Sequence, residues 1–302
     1  MGINKSALRL MLLAKKEKAD FSKMLTLGRL RYYADKDLSP YKHIIKSSDS
    51  HYTNDYSDEL YTQFGAESID CMDFSDYEKA SILHDLNTPF PEELKSKFSV
   101  LIDSGTLEHV FSFTTGMKSC MEALKVGGHF LGITPANNMM GHGFYQLSPE
   151  LYYRIFSKEN GFRVKHLFLV PADEVDVDSA PWYSVPDPKE VRSRIMLCNN
   201  KPMYMLVIAE KIEDKEVFQN FPQQSDYETT WEVHKSVKNN VRSESTGVLK
   251  HLYRKHIPQK AKNVLRKIHS DISTGKAENA DLGVVNSEHF VSFDIDKYLH
   301  AK

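Results

Sequence analysis

Four side chains near the middle of this 302-residue chain are of types that move protons: Asp103, Glu108, His109 and His142. An imidazole titrates near neutrality and can accept a proton from an attacking hydroxyl. His109 and His142 are therefore candidate general bases, with Asp103 as the third. Glu108, next to His109, is a candidate substrate contact. It also has a purely structural explanation, because a carboxylate in a helix's first turn is stabilised by the macrodipole. Two further acids, Asp73 and Asp85, close short apolar runs. Cys71, Cys120 and Cys198 are odd in number, scattered and without metal-ligand spacing. They read as small apolar residues in a reducing compartment, and no metal centre is expected.

The element that must position these groups runs from Phe98 to Pro135. An apolar strand, Phe98 to Asp103, meets a tight turn at Ser104-Gly105-Thr106. Glu108 and His109 then open a helix whose apolar positions include Met117, Cys120, Met121 and Leu124. The Gly127-Gly128 pair marks its end, where left-handed geometry is cheap without a Cβ. A second strand follows through Phe130-Leu-Gly-Ile133. Apolar runs without alternation predict strands buried on both faces, as in a parallel sheet. Ligands of such sheets bind beyond the carboxyl ends of the strands, so Asp103 to His109 should face a cleft.

The same logic extends in both directions. Phe21 to Gly28 reads as a first strand ending in glycine, Ser68 to Ser75 as a second, and Ile82 to Asn87 as a third ending at Asp85. Asp73 stands where doubly wound folds place an acid on ribose hydroxyls, or else caps a helix begun at Asp76. Beyond Pro135, glycines flank His142 in a loop. Ser148 as N-cap and Pro149 at the first helical position then start a helix. Phe162 to Val170 and Met203 to Glu210 read as the last two strands. The connection between them carries Trp182, five acids from Asp173 to Asp187 and four prolines from Pro171 to Pro188, and predicts no helix. Leu38 to Phe64 reads as helix plus loop, with its tyrosines lining the cleft or packing on the sheet edge.

From Lys23 to Lys211 this succession resembles the class I S-adenosylmethionine-dependent methyltransferases. The Ser68–Ser75 strand is similar to their second strand, Ile82–Asn87 to the third with its acid at the tip, and Leu107-Glu-His-Val110 and Leu124-Lys-Val-Gly-Gly128 to their later motifs. The stretch from Gly141 to Phe156 resembles a subset encoded with polysaccharide and secondary pathways. The resemblance implies a doubly wound, mostly parallel seven-stranded sheet, with S-adenosylmethionine as cofactor and a hydroxyl acceptor on a saccharide or small metabolite. It implies cofactor contacts at Gly28, Arg29, Asp73, Asp85, Leu86, Asp103 and Ser104. Acceptor contacts are implied at Glu108, Tyr145, Gln146 and Trp182 in addition to His142. The sequence departs from the family after its first strand, where a glycine-rich loop is reduced to Gly28 followed by Arg29-Leu-Arg-Tyr-Tyr33. Arg29 or Arg31 could pair the cofactor carboxylate there. The alternative is a methyltransferase-like scaffold that has lost cofactor binding and serves as an interaction protein.

Composition sets the outer bounds. At 41% apolar content the chain can bury one large core with an appendage. A net charge of −2 supplies no global basic field, so nucleic acid is not an expected partner. No apolar run approaches the ~20 residues of a membrane span, and a cytoplasmic location is expected. Ser6 to Lys16 reads as an amphipathic helix packing on the domain. Residues 1–212 are expected to form the methyltransferase-like domain, and 213–302 a polar linker, a basic helical segment and a loosely attached tail. The basic segment, 248–269, carries seven Lys or Arg and no acid. It fits peripheral contact with an anionic surface, or a packed helix whose charges are simply solvated.

Overall fold

The computed structural model describes residues 2–301 apart from 35–36, 47–54, 173–180, 193, 198, 229–230 and 232–288. The basic segment 248–269 thus lies outside the described residues. In chain order the elements are β1 (Gly2–Ile3), α1 (Lys5–Lys16), β2 (Lys23–Leu27), β3 (Arg31–Tyr32), α2 (Asp58–Gln63), β4 (Ser68–Asp73), β5 (Ile82–Leu83) and β6 (Phe98–Ser104). They continue with α3 (Phe113–Ala123), β7 (Leu124–Pro135), α4 (Pro149–Ile155), β8 (Phe162–Pro171), β9 (Trp182–Ser184), α5 (Pro188–Val191), β10 (Met203–Lys211), β11 (Val291–Phe293) and a C-terminal helix, Ile295–His300.

One nine-stranded sheet organises the chain, in the order β11-β9-β8-β10-β7-β6-β2-β4-β5. Strands β2, β4, β5, β6 and β7 are mutually parallel, and β10 runs antiparallel between β7 and β8. Without its two added edge strands, β9 and β11, the sheet has seven strands. It is wound outward in both directions from β2 and β6, which is the architecture of the class I methyltransferase fold. Both faces are buried. Along β10, Met205 and Val207 point into one apolar cluster and Leu206 and Ile208 into the other. That two-sided burial is why the strands read as unbroken apolar runs.

Helix α1 packs on one face through residues Ser6 to Ala14, all of them buried. It is covered on its outer side by the C-terminal helix, where Arg9 pairs with Asp296 at 3.1 Å and Lys16 Nζ donates to the Ala301 and Tyr298 carbonyls. An all-round burial of this kind explains why its sequence is apolar on more than one stripe.

Five expectations are corrected. The helix after β6 starts at Phe113. Leu107–His109 is a separate 3₁₀ turn, ended by the extended backbone of Val110. The glycine pair does not cap α3, because Leu124 is already extended and paired with Phe98, and Gly127 and Gly128 form the irregular entry to β7. The third strand is only Ile82–Leu83, so Asp85 lies in the turn beyond it. The connection after β8 contains β9, paired with β8 and β11, and the short α5. Pro188 does not prevent that helix but starts it, at a position where no amide donor is needed, with Asp187 capping the Lys189 amide. Finally, the last residues are not loose: Phe290 is buried, β11 extends the sheet, and the C-terminal helix packs on α1. Among the described residues no helix is long and apolar enough to cross a membrane.

Candidate active site

Strands β2, β4 and β6 end side by side, with Leu27 paired to both Met72 and Asp103. The chain leaves β2 through Gly28 in left-handed geometry (φ 74°), its amide donating to the Met72 carbonyl. Successive connections run away from this point in opposite directions, β2 to β4 and β6 to β7. It is therefore the topological switch point at which doubly wound sheets hold ligands.

Beyond β6 the chain is held by a compact set of bonds. Asp103 is fully buried, and its Oδ1 accepts from the Thr106 amide at 3.0 Å and the Leu107 amide at 3.3 Å. Thr106 Oγ1 donates to the Leu27 carbonyl at 2.9 Å. These bonds set the 3₁₀ turn that sends Leu107 into the core, Glu108 inward and His109 outward. Burial pushes the Asp103 carboxyl above the usual carboxylate range, against the pull of its two amide donors. In the free chain Asp103 is a turn cap with no exposed surface, and its Oδ2 has no hydrogen-bond partner.

Glu108 is equally buried, and neither carboxylate oxygen has a hydrogen-bond partner. Burial first, and the neighbouring Asp103 charge second, raise its pKa well above the ordinary value, so it holds its proton more tightly than a free carboxyl. The loop from β7 to α4 docks directly on this residue. The Phe144 amide donates to the Glu108 carbonyl at 2.8 Å and the Tyr145 amide at 3.3 Å. Gly143 immediately precedes them at φ +76°, and a Cβ there would lie 2.8 Å from the Glu108 carbonyl oxygen. Only glycine allows so close an approach. Tyr145 Oη donates to the Phe111 carbonyl at 2.7 Å, and Asn138 Nδ2 binds the Asn199 and Lys201 carbonyls.

The consequence is convergence of three residues. His142 Nε2 comes within 3.6 Å of Glu108 Oε1, and the His109 and His142 rings lie 5.3 Å apart. Both imidazoles open to solvent above the buried carboxyl. Desolvation, and then the proximity of His142, lower the His109 pKa, which favours the neutral ring that can take up a proton.

The remaining predicted residues are dispersed. Asp73 sits at the β4 tip, where, among the described residues, its Oδ1 accepts from the Ser75 amide at 3.4 Å. Asp85 Oδ1 accepts from the amide and side chain of Asn87, and Leu86 is buried. Arg29 pairs with Asp58 at 2.8 Å, donates to the Glu78 carbonyl and stacks 4.2 Å over Tyr56. Ser104 Oγ donates to the Gly2 carbonyl at 2.8 Å, because β1 pairs with β3 and brings the N-terminal segment to the β6 tip. Gln146 Nε2 donates back to the His142 carbonyl. Trp182, expected in an acceptor-side loop, is a fully buried β9 residue packed edge-on against Phe168, so it has no surface to offer an acceptor. Sequence reasoning missed the β1 contact, for which a two-residue strand leaves no periodic signal. It also missed the joining of Glu108 to His142, for which the Gly-His-Gly triplet was the available sign.

No family model matches the chain, and no curated protein does. Among solved structures it is similar to a putative sarcosine dimethylglycine methyltransferase from Galdieria sulphuraria (12% identity, TM-score 0.41, covering 70% of this chain and 86% of that one). It is also similar to the 1,6-didemethyltoxoflavin-N1-methyltransferase of Burkholderia thailandensis, solved with S-adenosylhomocysteine (11%, 0.37, 68% and 77%). A third is the branched-chain polyamine synthase of Thermus thermophilus (13%, 0.35, 72% and 60%). The fold assignment rests on the strand order and not on these distant likenesses.

Proposed function

We propose that the chain is an S-adenosylmethionine-dependent methyltransferase acting on a hydroxyl of a saccharide or small metabolite, in the cytoplasm. One observation carries this: the switch point of a methyltransferase-type sheet is flanked by a left-handed glycine, Gly28, and by the strand-tip acid Asp73. When bound, the cofactor supplies an electrophilic sulfonium methyl. Asp73 would hold its ribose, the turn at Asp85 and Leu86 its adenine, and Gly28 would give backbone access to its amino-acid end. The acceptor would lie against Glu108, His109 and His142. The solvent-facing imidazoles take up the hydroxyl proton while the walls of the cleft align the acceptor oxygen.

The alternative, a scaffold without cofactor, is favoured by one specific observation. Arg29 and Ser104, two residues expected to touch the cofactor, already have partners in Asp58 and Gly2. Incubation with methyl-labelled S-adenosylmethionine across pools of saccharides and small metabolites separates the two. Transfer to an oxygen acceptor that is lost in the variant lacking both His109 and His142 supports the enzyme. Absence of label transfer to every pool supports the scaffold.

A further inference from the structure

We propose that Glu108, His109 and His142 form a binding site for a divalent first-row transition ion. Their ligand atoms, one carboxylate oxygen and two imidazole nitrogens, lie within 4.8 Å of one another. Two imidazoles with one carboxylate are a ligand set suited to zinc and its neighbours, and they leave positions open for water or substrate oxygen.

The second, independent observation is Glu108 itself. It is a fully buried carboxyl with both oxygens lacking hydrogen bonds, whereas Asp103 in the same turn has one of its two oxygens engaged by two amides. An unsatisfied buried carboxylate is costly, and a cation is one of the few partners that removes the cost. Its neighbours fit that need. The His109 and His142 imidazoles flank it and reach solvent, so an ion has a route in. The backbone is shaped to bring them there: the left-handed Gly143 and the Phe144–Glu108 bond seat the loop directly on the carboxylate-bearing residue. In a formed site the ligand atoms stand about 3–3.5 Å apart at bonds of about 2.0–2.2 Å. The ligand atoms must therefore close in by about an ångström, which the His142 ring, between Gly141 and Gly143, can do.

The role of the ion rests on the methyl-transfer assignment above, although its binding does not. At this place an acceptor hydroxyl becomes a ligand. The ion would supply a Lewis acid that lowers the pKa of that hydroxyl while Glu108, His109 and His142 hold it; in the metal-free chain the imidazoles remain the proton acceptors described above.

The test uses the full-length protein stripped with chelator and titrated with Co²⁺ and Zn²⁺, without S-adenosylmethionine. The expected result is one equivalent bound per chain, with the visible absorption of low-coordinate Co²⁺ and its displacement by Zn²⁺. His142→Ala, His109→Ala and Glu108→Gln should each weaken binding by at least about tenfold, since loss of a direct ligand should match or exceed the 10–100-fold cost of losing an outer-shell partner. His84→Ala should not, which matters in a chain with 13 histidines. The exposed His142 variant keeps the test valid if the buried Glu108→Gln variant unfolds. Absence of stoichiometric binding, or binding unchanged in all three variants, overturns the proposal. Cofactor calorimetry on the stripped protein is separate: an ion that binds where S-adenosylmethionine does not leaves the metal site standing and removes the methyltransferase assignment.

Discussion

Replacing Gly143 by alanine should undock the His142 loop without unfolding the sheet. Holding an alanine at φ +76° costs roughly 1–2 kcal/mol. The new Cβ would also stand 2.8 Å from the Glu108 carbonyl oxygen, a backbone atom with no freedom to rotate away. Relief of that contact breaks the Phe144–Glu108 hydrogen bond, worth about 0.5–1.5 kcal/mol net. The sum, about 1.5–3.5 kcal/mol, corresponds to roughly a 10- to 300-fold loss of protection for the Phe144 amide. Tyr145 on Phe111 and Ser148 capping α4 are separate anchors and should hold the rest. Hydrogen exchange followed by mass spectrometry reads this directly, with Gly141→Ala as control, since a Cβ there meets nothing within 4 Å. Unchanged protection at Phe144 in the Gly143 variant would refute the close-approach explanation.

Two further outcomes are expected. His109→Ala and His142→Ala should each lower methyl transfer by roughly a hundredfold while leaving cofactor affinity unchanged, measured by single-turnover kinetics beside calorimetry. Glu17 is pushed up by burial, but hydrogen bonds from His166 and Lys165 win and bring it to about 2 from an ordinary value of 4.5. Its stabilisation is therefore present above pH 4.5 and lost as pH falls towards 2. Glu17→Gln should be less stable than wild type at neutral pH, by about 1–2 kcal/mol after solvent screening, with the gap closing in that acid window. Chemical denaturation at several pH values checks this, and a gap independent of pH contradicts it.

The sheet was legible because burial on both faces leaves continuous apolar runs such as Phe98 to Ile102, and because acids and glycines punctuate their ends. The helix started by Ser148 and Pro149 was legible from its cap alone. Asp85 was misplaced because a two-residue edge strand, Ile82–Leu83, looks in sequence like the start of a longer one. The helix start was misplaced because Leu107–His109 satisfies the helical pattern for one turn before Val110 extends. Trp182 was misread because acids and prolines around it mimic a loop, whereas Phe168 and β11 provide it with a buried sheet edge. The site itself depended on a contact between positions 34 residues apart in sequence, Glu108 and His142. Only the joining of two loops at one strand edge brings these together; the Gly-His-Gly triplet marks a close approach but does not say to which residue.

Cofactor binding is the central claim, and isothermal calorimetry of S-adenosylmethionine against the full-length protein tests it most directly. The expected result is saturable 1:1 binding that weakens by about 1.5–3 kcal/mol in Asp73→Ala, whose carboxylate at the β4 tip is the freest of the strand-tip acids. No heat of binding in the folded wild-type protein, or an affinity that Asp73→Ala leaves unchanged, would contradict it.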